Sequence, residues 1–288
     1  MQDQICVPYL PMKLVNFTKY NANGNTFVVI DVTKHRLTRS ALCILSRRIC
    51  DCVRGAGADG LLTVRDLGKN FFSMEVFNAD GSWAERSGNG LRVAVADRAA
   101  KKATVKNWRV KSGKDTLLCK IERKTANKMT ITTELGEPKL DCGKFGRGRI
   151  KLKNQSMSYI SVKVGNPHIV VFVRNFDFDW KSLGSELSKS PRTKGGANVE
   201  FVRLAKSGNF NAFQSLDVRV WERGVGPTRS SGTGAAAAMV ASREMGLTRS
   251  TVKVKFENET LAINWEGLGE SIFVTGSVER LLSGEIYI

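Results

Sequence analysis

One internal repeat constrains this sequence more than any other feature. The segments GSWAERSGNGLRVAVAD and GPTRSSGTGAAAAMVAS align with each other and put Ser87 and Ser231 at equivalent positions, half of the 288-residue chain apart. A long fixed period is the mark of duplication, so two copies of one unit fit better than two unrelated domains. A boundary then belongs near the Gly- and Lys-rich stretch between Leu135 and Asn154. The expected organisation is a first domain over 1–134, a second over 135–275, and a terminal strand over 276–288.

Local patterns fill in the unit. Alternating or β-branched runs predict strands at Phe27–Val32, Phe71–Phe77, Lys128–Thr133, Ser158–Val164, His168–Val173, Asp217–Trp221 and Thr251–Phe256. Each copy of the repeat opens a helix at a glycine cluster. Gly88-Asn89-Gly90 leads into LRVAVADRAAK, and Gly232-Thr233-Gly234 leads into AAAAMVASREMG, with Gly246 suited to a C-terminal cap. Strands mixed with a few helices place the chain in the α/β (α+β) class.

Composition narrows the partners. With 42% hydrophobic and 25% charged residues and six prolines, the chain is globular, and it is long enough for two cores. No apolar run reaches the roughly 20 residues of a membrane span, and the first residues carry no secretory pattern, so a cytoplasmic location without a membrane partner is expected. The six cysteines lack zinc spacing, and reduced thiols without metal are expected. A net charge of +18 attracts polyanions, but the basic residues are dispersed along the chain, which argues for a solvated surface over a specific nucleic-acid site. A homodimer is compatible with all of this.

The glycine-opened helices carry the functional signal. Small residues at a helix start leave backbone N–H groups bare, and such an end binds a carboxylate. Alone, each G-x-G is more simply a tight turn. Two of them, related by a repeat and facing one cleft, could grip a single carboxylate from both sides.

At these residues the sequence resembles the diaminopimelate epimerase family. FNADGSWAERSGNGLR and WERGVGPTRSSGTGAAAA are similar to the family's two catalytic-cysteine motifs, and KYNANGNTF, GAGADGLL, VGNPHIVVF and NVEF match in the same order. The resemblance implies two pseudo-symmetric domains, each a barrel-like sheet around a central helix, with an amino-acid cleft between them and the last strand returning to the first domain. It implies a cofactor-independent isomerase that interconverts LL- and meso-diaminopimelate, a lysine and peptidoglycan precursor, by proton transfer at the α-carbon. Carried over by position, Asn78, Asn166, Asn198 and Arg223 bind the distal amino and carboxylate groups, and Asn25 lines the cleft. His168 and Glu222 lie by the reacting amino group, while backbone amides at Gly88, Asn89, Gly232 and Thr233 hold the reacting carboxylate. Met12 matches the family's first residue, which makes residues 1–11 an extension.

Where the family keeps its two cysteines, this chain has Ser87 and Ser231. A thiol of pKa about 8.5 can exchange protons near neutrality, and a hydroxyl cannot without a strong base beside it. Thr26 stands where the family has aspartate, Pro227 where it has glutamate, and Ser230 adjoins Ser231. Three readings follow: an isomerase with slowed or one-faced chemistry, an inactive amino-acid-binding homologue, or deliberate replacement of both cysteines.

Overall fold

The computed structural model describes residues 14–287 apart from 36, 85–86, 103, 141–145, 153–154, 191–194 and 206–214. Met12 and the expected extension, with Cys6 and Cys142, lie outside the described residues. Both halves run through one order of elements. The first contains β1 (Leu14–Ala22), β2 (Asn25–Asp31), α1 (Arg39–Cys50), β3 (Gly60–Gly68), β4 (Phe71–Asn78), β5 (Trp83–Ala84), α2 (Gly88–Lys101), β6 (Asn107–Ser112), β7 (Asp115–Lys124) and β8 (Lys128–Gly136). After β9 (Lys139–Leu140) and β10 (Arg147–Leu152), the order returns as β11 (Gln155–Val164), β12 (Asn166–Phe172), α3 (Trp180–Ser188), β13 (Asn198–Ala205), β14 (Ser215–Glu222), β15 (Gly226–Thr228), α4 (Gly232–Glu244), β16 (Thr251–Lys255), β17 (Thr260–Asn264) and β18 (Ile272–Tyr287).

Strand pairing repeats with the elements. β2 pairs parallel with β3, as β12 does with β13. β4 pairs antiparallel with β5 and parallel with β6, and β14 treats β15 and β16 in the same way. The result is a two-domain α+β fold of closed barrel-like sheets with few helices. Closure leaves few unpaired edges, and it surrounds each central helix with strands.

That enclosure explains why periodicity was silent on the central helices. In α2 every residue from Gly88 to Ala99 is buried, and in α4 every residue from Gly232 to Ser242. A helix covered on all sides shows no amphipathic stripe, so the glycine clusters and alanines were the only markers. α4 ends as expected: Gly246 adopts φ +69°, and the amides of Gly246 and Leu247 donate to the carbonyls of Arg243 and Ser242.

The strand β18 stitches the halves together. Its first part pairs with β17 and with β8, and its last part, from Glu279 to Tyr287, pairs with β1. Side chains follow the crossing: Leu135 of β8 packs in the core around α4, and Val278 of β18 packs in the core around α2.

Candidate active site

Ser87 and Ser231 cap the two central helices in matching conformations. Their φ, ψ values are −140°, 117° and −140°, 123°, and their hydroxyls accept hydrogen bonds from the amides of Gly90 at 3.0 Å and Gly234 at 3.1 Å. Each therefore satisfies one orphan donor of the first turn. The two helix starts abut. A Cβ placed on Gly88 would lie 3.6 Å from the Cα of Gly232, and one on Gly232 would lie 3.6 Å from the Cα of Gly88. An added Cβ would only touch the facing helix start at ordinary contact distance, so it is the space between the two starts, more than their approach, that glycine preserves.

Beyond Ser231 lies a buried acid–base group. His168 Nδ1 is 2.8 Å from Glu200 Oε1, and both side chains are 0% exposed. With Glu200 ionised, Nδ1–H donates to it, which fixes the tautomer and leaves the Nε2 lone pair free to accept a proton. Nε2 has no hydrogen-bond partner among the described residues. Glu222, at the end of β14, accepts a hydrogen bond from Thr228 Oγ1 at 3.0 Å. Burial pushes its carboxyl above the usual carboxylate range and the charge of Glu200 adds to this, while hydrogen bonds from Thr228 and Ser231 and the proximity of His168 oppose it.

Comparing the halves exposes an asymmetry. The strand registers make Phe27 the counterpart of His168 and Leu62 the counterpart of Glu200. The same substitution shows at the helices: a Cβ on Gly90 would meet Leu62 Cδ2 at 3.1 Å, and one on Gly234 would meet Glu200 Oε1 at 2.7 Å. Asn78 ends β4 as Glu222 ends β14. At these three matched positions the acid–base side chains thus lie on the second half.

The remaining predicted residues divide. Asn198 opposes His168 across the β12–β13 pair, and its Oδ1 accepts from the Arg223 amide at 2.9 Å. The Arg223 guanidinium donates through Nη1 to the carbonyls of Gly195 and Gly196, at 2.8 and 3.3 Å. It borders a cavity of about 520 Å³ lined also by Trp221, Val225 and Pro227. Asn166 begins β12, two residues before His168, and is half-buried. Asn25 begins β2, and Asn78 is exposed with Nδ2 donating to Ser82 Oγ at 2.8 Å. Neither Asn25 nor Asn78 lines the cavity beside Arg223. Asn89 and Thr233 are buried in the first turns of α2 and α4.

Two departures have local partners. Thr26 donates to Asp59 Oδ2 from its amide at 2.7 Å and its hydroxyl at 2.8 Å, and Ser230 Oγ donates to the Asn23 carbonyl at 2.5 Å. Sequence reasoning passed over Glu200, Thr228 and Asn23. A lone charge inside the apolar run VEFV was the available signal for Glu200.

A sequence profile described as diaminopimelate epimerase matches residues 17–140 and 160–281. The diaminopimelate epimerase of Caldanaerobacter subterraneus subsp. tengcongensis is 33% identical over 286 residues, covering 95% of this chain and all of that protein. That of Leptospira biflexa is also 33% identical, over 95% of this chain and 99% of its own. This chain belongs to the diaminopimelate epimerase family. Among solved structures, a PhzF-family phenazine biosynthesis protein from Bacillus anthracis superposes with a TM-score of 0.69 at 15% identity, covering 96% of this chain and 100% of that one. A hydroxyproline epimerase from Agrobacterium vitis with bound trans-4-hydroxy-L-proline gives 0.66 at 12% identity, covering 96% and 92%. These two establish the fold alone. Family membership makes the chain an epimerase-like isomerase by relationship. Among the described residues no helix is long and apolar enough to cross a membrane, and no group of three or more His, Cys, Asp or Glu side chains could hold a metal.

Proposed function

We propose that this chain binds diaminopimelate in an epimerase cleft and transfers protons at its α-carbon slowly, with Ser87 and Ser231 in the places of the family's two thiols. The observation that carries the reading is the abutment of two serine-capped helix N-termini. The first-turn amides of Gly88, Asn89, Gly232 and Thr233 belong to these two adjoining helix starts, and in this reading they are the donors that hold one carboxylate. Arg223, Asn166 and Asn198 supply charge-assisted and amide contacts for the distal end, and Asn25 and Asn78 contribute from the first half.

Two-base inversion needs a group on each face of the α-carbon. On the second-half side, His168 backed by Glu200, or Glu222, can draw the proton from a serine hydroxyl. The first half offers Phe27, Leu62 and Asn78 at the corresponding places, so among the described residues these positions give Ser87 no equivalent helper. This favours one-faced α-proton exchange over balanced inversion. It also keeps a second reading in view, a binding protein without turnover.

The test compares the unchanged protein with Ser87→Cys, Ser231→Cys and the double variant. Calorimetry with diaminopimelate reads binding; α-deuterium incorporation and epimerisation read chemistry. Binding in all four proteins, with epimerisation at least about a thousandfold faster in the double variant, supports the proposal. Binding without exchange in the unchanged protein selects the second reading, and absence of binding sinks both.

A further inference from the structure

Arg92 lies in α2, 0% exposed, close to Gly232 at the start of α4. A buried guanidinium is ordinarily paired with a carboxylate, because an unpaired charge in a dry interior is costly. Here its hydrogen-bond partners are amide oxygens: Nη2 donates to Asn23 Oδ1 at 3.2 Å and to Asn89 Oδ1 at 2.5 Å. Nε and Nη1 have no partner among the described residues. Nη1 points toward the helix junction, 3.9 Å from where a Cβ on Gly232 would be. Space for the group is kept by Gly276, whose Cβ would press on Arg92 Nε at 2.9 Å and on Asn23 Oδ1 at 2.6 Å.

The surroundings hold the cation without neutralising it by direct contact. Asn23 occupies the left-handed region at φ +53°, and its Nδ2 passes the link to Glu259 Oε2 at 2.9 Å. Its carbonyl accepts from Ser230, the neighbour of Ser231. Burial pushes the guanidinium pKa down to about 10, against the pull of Cys119 and Glu259, so Arg92 stays charged at neutral pH.

We infer that Arg92 is a positioning residue for the reacting anion: its buried charge, one step from Gly232, joins the two helix N-termini in making their junction a seat for one carboxylate and in favouring ionisation of a group that caps α4. Each helix start contributes about half a positive charge, so Arg92 adds about as much as both together. The carboxylate part rests on the ligand reading proposed above; the electrostatic part stands without it.

The experiment uses a thiol as reporter and no ligand. In the Ser231→Cys protein, the rate of iodoacetamide alkylation at position 231 is followed against pH by peptide mass spectrometry. Adding Arg92→Gln is expected to shift the ionisation midpoint upward and slow alkylation at pH 7 about tenfold, while Arg92→Lys retains most of the rate. Adding Glu259→Gln, at a half-buried turn, is expected to shift the midpoint downward. Thermal melts identify any variant that fails to fold; if Arg92→Gln does, Arg92→Lys and Glu259→Gln decide. An unmoved midpoint in folded Arg92→Gln protein, or in Glu259→Gln should Arg92→Gln not fold, overturns the inference. A shifted midpoint in a protein that does not bind diaminopimelate leaves Arg92 its electrostatic role and removes the ligand reading instead.

Discussion

Serine and cysteine differ at a helix N-cap in two opposed ways. Serine is among the best caps, since its hydroxyl accepts a first-turn amide, as Ser87 and Ser231 do here. A thiolate in the same position would be a far better proton carrier. The two serines therefore hold the helix starts firmly while depriving them of acid–base strength, the direction of a stability–activity exchange. Replacing Ser231 by Ala is expected to lower stability by about 1 kcal/mol, the usual worth of a cap, as read from urea unfolding. Glu222 supplies a pH signature. Its folded carboxyl holds the proton to higher pH than an unfolded one, mainly through burial. As pH rises through and above the ordinary carboxylate range, the unfolded state ionises first and folding stability falls. Glu222→Gln removes that loss, so the variant should gain on the parent as pH rises from 4 to 8. Parallel stability curves for the two proteins across that range would refute the assignment.

At the scale of elements, the glycines at the helix starts are not interchangeable. A Cβ on Gly234 would meet Glu200 Oε1 at 2.7 Å, inside a buried acid–base pair, whereas the nearest contacts of a Cβ on Gly232 are at 3.6 to 3.9 Å. Gly234→Ala should thus cost about 1–3 kcal/mol as an overpacking change and displace Glu200 from His168. Gly232→Ala should leave stability within about 1 kcal/mol, since a modest crowding is offset by the helix preference of alanine. By narrowing the junction with Gly88, it should nevertheless abolish binding of diaminopimelate. Melting curves and calorimetry on both variants check the contrast. The same elements show what the sequence disclosed. The seven expected strands lie within β2, β4, β8, β11, β12, β14 and β16, three of them running past by a single residue, and both central helices were visible through their glycine clusters. α1 and α3 are missing from the sequence expectation although both carry a legible amphipathic pattern, with Leu42, Leu45 and Ile49 on the buried face of the first and Leu183 and Leu187 on that of the second. The His168–Glu200 pair escaped because its register depends on β12 pairing in parallel with β13 across the intervening α3, a relation no local window contains.

For the whole molecule, the decisive element is β18. It hydrogen-bonds to β17 and β8 through its first part and to β1 through its last. Leu135 and Val278 are each committed to the core centred on the other half's helix. Two barrels that exchange a strand and core residues cannot lose one half without exposing buried apolar surface of the other. Unfolding should therefore be a single cooperative transition, with calorimetric and van't Hoff enthalpies equal. Shortening the chain after Arg280 makes the argument sharper. It strips β1 of its pairing from Leu14 to Lys19, while β2 still holds Phe17 to Ala22 from the other side. The first barrel should loosen at that seam, and the second, which keeps β17 and the part of β18 from Ile272 to Val278, should not. Hydrogen exchange on the truncated protein is expected to show lost protection in β1 and retained protection in α4 and β16. Because the helix junction is built by both halves, loosening the first barrel should also weaken diaminopimelate binding even though the truncation removes no residue that lines the junction. Unchanged affinity together with unchanged exchange in β1 would show that the returning strand contributes neither to the seam nor to the site.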